Sequence, residues 1–158
     1  MSLHLDANDF AALDDAQRLA ILETMVVGLI ADDKVTAAEA QQFDEILFGL
    51  PWGVDREVLG GMVRGARDRL GALKTPAQIH DYVAQLATRL TSPVLRQKII
   101  FTMATLMWAD GEMNRIEKNV LGLFSVAFNI TSEGVAAIRE ALDLPPIPPV
   151  APSSSTSN

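Results

Sequence analysis

The sequence predicts an all-α fold, a compact bundle of seven to eight helices with an internal pseudo-two-fold repeat. Apolar residues recur at helical spacing along most of the chain, and no segment shows the sustained alternation typical of a strand. Residues 18–50 also align without gaps to residues 96–128, at an offset of 78 residues and with seven identities. Such a duplication predicts two similar helical halves. The identical pairs are Arg18/Arg96, Ile21/Ile99, Thr24/Thr102, Met25/Met103, Ala31/Ala109, Asp32/Asp110 and Glu39/Glu117.

Local signals place the helices of the first half. A short helix is expected over residues 7–13 and a second over residues 16–31, with one broad apolar face that predicts burial. A third is expected over residues 37–50, and it ends before Pro51 because proline disfavours helical geometry in the preceding residue. Trp52 is expected to fill the junction that follows.

The fourth helix is predicted over residues 55–73 and is rich in glycine. Gly60, Gly61 and Gly65 each cost about 1 kcal/mol in helix propensity relative to alanine. Glycines at this spacing predict a neighbour packed unusually close, and the shallow face around them is the candidate partner-binding surface. The arginines on the same helix, Arg64, Arg67 and Arg69, are interpreted as a solvated face in preference to an anion-binding site.

Proline marks two helix starts in the second half. Thr75-Pro76 and Ser92-Pro93 each combine an N-cap residue with proline in the first turn, which predicts a fifth helix ending near residue 90 and a sixth beginning at residue 93. A seventh helix should bury Phe124 and Phe128, and an eighth should span residues 132–142. We therefore expect a helical domain over residues 1–143 and a disordered tail over residues 144–158, which holds five prolines, four serines and no charge.

Composition narrows the class of protein. The chain has no cysteine, no apolar stretch near the ~20 residues needed to cross a bilayer, and no basic-then-apolar leader at its amino terminus. We expect a cytoplasmic protein without membrane insertion. A net charge of -7 argues against nucleic acid as a partner, because phosphate-backbone binding needs clustered Lys and Arg.

A functional site is expected at the repeated turn, which spans residues 31–39 in one copy and 109–117 in the other. Thr36 and Asn114 suit the N-cap position, and Glu39 and Glu117, three residues later, suit the reciprocal position of a capping box. This local account does not extend to Asp32 and Asp110. Each of those carboxylates is expected in the last turn of a helix, at the unfavourable end of its dipole, and accepting backbone N–H bonds from the following turn is one structural explanation.

A divalent cation is the alternative explanation. Asp110, Gly111, Met113 and Glu117 match the second half of an EF-hand loop, but the first and third ligand positions fall on Leu106 and Trp108, which excludes a self-contained EF-hand. A composite site between the two repeats stays open, with Ca²⁺, Mg²⁺ or Mn²⁺ as the candidate ion. Its candidate ligands are Asp32, Asp33, Asp110, Glu112, Glu39 and Glu117.

The repeated motif resembles that of the TerB-like family, which is associated with tellurite resistance and stress responses. The resemblance covers residues 16–142 and is carried by a helix ending Ala-Asp-Gly, an apolar residue, and a glutamate seven positions after the aspartate. The matching residues are Ala109, Asp110, Gly111, Met113 and Glu117 in one copy and Ala31, Asp32, Val35 and Glu39 in the other.

This resemblance implies a pseudo-symmetric helical bundle, acidic residues suspected of binding metal, and use as a partner-binding module, including in co-chaperones of the DnaJ type. It implies no catalysis. Asp33 stands where the family has glycine, and Lys34 adds a positive charge, so both residues weaken a symmetric metal site.

No residue pattern points to an enzyme. His80 and Asp81 are adjacent on a helix and therefore point about 100° apart, which does not suit a base and its orienting acid. Two functions stay open: a non-catalytic adaptor module for an unidentified protein partner, and a divalent-cation-binding protein. The sequence does not distinguish a monomer from a homodimer.

Overall fold

The structure, a computed structural model, describes residues 3–30, 35–109, 111 and 113–142, and within them all regular structure is helical. The all-α prediction is therefore confirmed, and the predicted helix ends differ from the observed ones by one or two residues. The eight helices of the described chain are α1 Ala7–Ala11, α2 Asp15–Ile30, α3 Ala37–Gly49, α4 Arg56–Gly71, α5 Pro76–Arg89, α6 Pro93–Met107, α7 Arg115–Ala127 and α8 Ser132–Ala141.

The helix boundaries repeat the offset found in the sequence. Helices α2 and α6 begin 78 residues apart, and α3 and α7 share that offset at both ends. Their N-caps, Thr36 and Asn114, also lie 78 residues apart, and each forms a complete capping box with the glutamate three residues later. The two sequence repeats therefore fold into the same succession of two helices.

Helices α2 and α6 form the centre of the bundle and pack against each other. Every residue from Ile21 to Leu29 is buried, as are most residues of α6, so both helices are enclosed on all sides rather than along one face. They are in close contact at Gly28, where an added Cβ would lie 3.1 Å from the Cγ and 3.3 Å from the carbonyl oxygen of Met103. Glycine permits this approach because it has no side chain.

The two central helices run in the same direction. At the amino end of α2, Gln17 donates its side-chain N–H to the carbonyl of Arg89 at 3.2 Å. At the amino end of α6, Arg96 donates to the carbonyl of Ala87 at 2.6 Å. Both amino ends therefore lie beside the carboxyl end of α5, while the contact between Gly28 and Met103 joins the carboxyl-terminal parts of the same two helices.

The remaining helices surround this central pair, with α4 and α5 both packed on α2. Trp52 fills the junction between α3 and α4, as predicted: it is buried, its indole N–H donates to the carbonyl of Leu47 at 2.6 Å, and its ring meets Phe10 edge-on at 4.9 Å. Gly111, which follows α6, has a φ of 83°, in the left-handed region that favours glycine. No helix among the described residues has the length and apolar character needed to span a bilayer.

Candidate functional site

Four of the six candidate metal ligands, Asp32, Asp33, Asp110 and Glu112, lie outside the described residues. Within residues 3–30, 35–109, 111 and 113–142, no group of three or more histidine, aspartate or glutamate side chains is placed to hold a metal ion. The composite cation site thus stays a prediction.

The other two candidate ligands, Glu39 and Glu117, are capping residues. Their exposed fractions are 3% and 4%, so both are buried. Glu39 accepts the backbone N–H of Thr36 at 3.0 Å, and Glu117 accepts that of Asn114 at 3.1 Å, while each N-cap side chain accepts the glutamate N–H in return. The predicted capping boxes are confirmed, and one oxygen of each glutamate is committed to them.

The glycines of α4 do not mark a close neighbour, which corrects the expectation drawn from their spacing. A Cβ added at Gly60, Gly61 or Gly65 would meet only the arginine side chain four or fewer residues further along α4, at 3.3 Å or more. The close helix crossing lies instead at Gly28. The α4 glycines leave open space, because no other element fills the volume that their side chains would have occupied.

That open space belongs to a shallow groove of about 500 Å³ between α2, α4 and the segment that joins α3 to α4. Gly61 and Gly65 line it, as the sequence analysis proposed for a partner-binding surface, whereas Gly60 does not. Val54 and Val58 are 44% and 49% exposed along it, so part of its apolar lining faces solvent. The lining residues are Asp15, Arg18, Leu19, Trp52, Val54, Val58, Gly61, Met62, Gly65 and Arg69.

Arg18 brings a partly satisfied guanidinium to this groove. Its Nη2 donates to the carbonyl of Phe10 at 2.9 Å, whereas its Nε is buried and has no acceptor. Each side-chain nitrogen of the repeat counterpart, Arg96, has an acceptor: they donate to the carbonyls of Leu90, Ala87 and Phe128. The same arginine therefore ties helix ends together in both repeats, but in the first repeat it keeps unused donor capacity.

Arg69, the second cation of the groove, is held by a buried carboxylate. Its Nε donates at 3.2 Å to an oxygen of Glu23, which also accepts the Tyr82 hydroxyl at 3.0 Å. The Arg69 side chain stays 49% exposed, and the Glu23 side chain only 3%. Burial raises the pKa of Tyr82, and the adjacent charge of Glu23 raises it further, so this phenol stays protonated and keeps donating. The other oxygen of Glu23 is buried without a partner.

The cluster of Glu23, Arg69 and Tyr82 was not predicted from the sequence, although one signal of it is present there. Glu23 interrupts an otherwise apolar helix, and a charged residue inside a helix that is buried all round requires a partner. Arg69 was interpreted as part of a solvated face together with Arg64 and Arg67. Only the packing of α4 on α2 shows that one of the three reaches into the interior.

Helix α4 is a basic element in an acidic chain. Counted over Arg56–Gly71, it carries four arginines against Glu57 and Asp68, a net charge of +2, whereas the whole chain of 158 residues carries -7. Of the four, Arg69 lines the groove, and Arg18 of α2 lines it as well. The lining itself also includes one carboxylate, Asp15.

Comparison with known proteins identifies a family. The family model described as "Tellurite resistance protein TerB" matches residues 18–140, which is most of the chain and includes both repeats. Searches of curated proteins and of solved structures gave no match.

Proposed function

This chain belongs to the TerB family, and we propose that it is a non-catalytic binding module that holds a segment of a partner protein in the groove between α2 and α4. The family match connects the chain to tellurite resistance and supports a role in a stress-response assembly. The proposal follows the sequence-based expectation of an adaptor, and it assigns the adaptor surface to Gly61, Gly65 and the valines beside them.

The observation that carries the proposal is the empty space beside the α4 glycines. Each glycine within a helix costs about 1 kcal/mol relative to alanine, and no packing contact requires glycine at position 61, where the nearest atom to an added Cβ lies 3.7 Å away. What these glycines provide is a concave apolar surface flanked by exposed Val54 and Val58. Exposed apolar surface of this kind is typical of protein interaction sites.

The experiment is site-specific photo-crosslinking of the full chain in the cells that produce it, with the photoreactive residue placed at Val58. Mass spectrometry then identifies the crosslinked segment of the partner. We expect one recurring segment, which disappears when Gly61→Leu fills the groove. Gly122→Leu is the matched control, because Gly122 is an exposed helix glycine with nothing within 4 Å of an added Cβ and lies outside the groove.

Circular dichroism and melting curves show whether both leucine variants fold. If Gly61→Leu is folded and still gives the same crosslink as wild type, the groove is not the binding site. Absence of any recurring crosslink from Val58 overturns the proposal as well.

Binding of a divalent cation by the two acidic turns is the second candidate function, and one feature favours it. Because α2 and α6 run in the same direction and touch near their carboxyl ends, the turns that follow them begin at the same end of the bundle. A Ca²⁺, Mg²⁺ or Mn²⁺ ion held by Asp32, Asp33, Asp110 and Glu112 would offset the repulsion between these carboxylates.

A thermal-shift panel tests this candidate. Binding to the folded state raises stability by RT ln(1 + [L]/Kd), so millimolar cation should raise the melting temperature by several degrees in wild type and not in Asp110→Ala. Asp81→Ala, on the exposed surface of α5, is the control and should keep the shift. A melting temperature that is unchanged by all three cations removes the candidate.

A further inference from the structure

We propose that the α2–α4 groove selects acidic peptide segments, with carboxylates of the occupant bound by Arg69 and Arg18 and its apolar side chains lying along Val54, Val58 and Met62. This inference rests on the proposed function, which assigns binding to the groove, and it adds the chemistry of the partner. Three features of the described residues support it.

Arg69 is positioned in advance to bind a carboxylate. Glu23 holds its Nε at 3.2 Å, and Tyr82 fixes the same Glu23 oxygen from another direction. The two Nη atoms of Arg69 donate to no residue in the described part of the chain, and the side chain is half exposed at the groove. A guanidinium held along one edge loses little further entropy when it binds, and its remaining N–H groups match the geometry of a carboxylate.

Arg18 is the second cation of the groove, and it forms fewer hydrogen bonds than its counterpart in the other repeat. Its counterpart Arg96 donates to three carbonyl oxygens, one from each of its side-chain nitrogens. Arg18 donates to the carbonyl of Phe10 alone, and its buried Nε has no acceptor. Arg18 lines the groove, so the positive charge of its guanidinium attracts an anionic occupant there.

The charge of the surroundings favours an acidic occupant over a basic one. Arg18 and Arg69 outnumber Asp15 in the lining, and α4 is positive within a chain of net charge -7. A local positive surface in a negative protein steers acidic segments toward this face and disfavours binding elsewhere. The apolar part of the lining, Leu19, Trp52 and the exposed valines, requires that the segment also carry apolar side chains.

The test is selection of a displayed library of randomised peptides on the full chain, with counter-selection on Gly61→Leu. We expect groove-dependent peptides that are enriched in Asp and Glu beside apolar residues. For the strongest peptide, replacing each Glu with Gln should weaken binding by about tenfold or more, since a hydrogen bond to a charged group is worth about 1.5–3 kcal/mol. This comparison changes the peptide alone, so the fold of the protein is not disturbed.

Protein variants give the second measurement. Arg69→Gln should weaken the selected peptide about as much as its Glu-to-Gln change, whereas Arg67→Gln, an exposed arginine on the same helix outside the groove, should not. Groove-dependent peptides that are neutral or basic, or that keep their affinity after the Glu-to-Gln change, overturn this inference and leave the proposed function standing. A selection that yields no peptide dependent on Gly61 overturns both.

Discussion

Gly28 lies directly against Met103, its neighbour on the other central helix, with only 3.3 Å between the position of an added Cβ and the Met103 carbonyl oxygen. Met103 is itself the repeat counterpart of Met25, so this contact joins the two halves of the chain. This contact brings α2 and α6 together as the shared centre of the bundle.

Gly28→Ala should therefore destabilise the protein, although alanine is the better helix former. A Cβ at this position meets backbone atoms of Met103 that cannot move without shifting α6. Overpacking in a core costs about 1–3 kcal/mol, and the propensity gain offsets about 1 kcal/mol of it. We expect a net loss of about 1 kcal/mol in the free energy of unfolding from urea titration, and a larger loss for Gly28→Val. If Gly28→Val leaves the free energy of unfolding unchanged, α2 and α6 separate easily at this contact.

Gly61→Ala should have the opposite effect. The nearest atom to an added Cβ is the tip of the Arg64 side chain at 3.7 Å, which is flexible and can move. Alanine should therefore raise the free energy of unfolding by about 1 kcal/mol through helix propensity alone. Urea titration alongside Gly122→Ala, which is expected to give a similar gain, is the check. A loss of stability at position 61 would mean that the groove is filled in solution.

Arg96 should contribute more stability than Arg18, although the repeat aligns the two. Arg96→Ala removes the donor for three carbonyl oxygens and should cost about 3 kcal/mol, whereas Arg18→Ala removes one such bond and should cost about 1 kcal/mol. Arg96→Lys should restore only part of the loss, because an ammonium cannot reproduce the planar fork. Equal costs for the two alanine variants would contradict this difference between the repeats.

Tyr82 should make the stability of the protein depend on pH in the alkaline range. Its pKa is raised in the folded protein by burial and by Glu23, so the unfolded chain loses this proton first, near pH 10. The contribution of Tyr82 to the free energy of unfolding is present below about pH 10. It is lost as pH rises above that value, by about 1.4 kcal/mol per pH unit. Since the chain has one tyrosine, tyrosinate absorbance reports on Tyr82 directly and should appear only with unfolding.

Tyr82→Phe is the control for this titration. It should be less stable at neutral pH, because Glu23 loses a donor, and its stability should fall less steeply above pH 10 than that of wild type. Ionisation of Tyr82 near pH 10 in the folded protein, before any loss of helix signal, would contradict the prediction.

Much of the fold was predictable because its signals are local. The N-caps at Thr36, Thr75, Ser92 and Asn114 depend on residues within one turn, and the structure has each of them where the sequence places it. Helical periodicity and the 78-residue repeat also depend only on order along the chain. For the same reason the capping role of Glu39 and Glu117 could be derived before any coordinates.

The functional surface required the tertiary structure. The spacing of glycines in α4 predicts close packing as readily as open space, and the difference depends on which helix lies opposite. Arg67 and Arg69 are equivalent in the sequence, yet Arg69 alone reaches Glu23, because α4 packs on α2 at that position.

The sequence by itself determined the helices, their caps and the two-fold repeat, since these follow from interactions between residues that are near in the chain. The tertiary structure decided where the close crossing lies, which glycines stay uncovered, and which of two repeated arginines keeps unused donors. Those outcomes depend on contacts between distant segments, and a pattern along one segment carries no information about what packs against it.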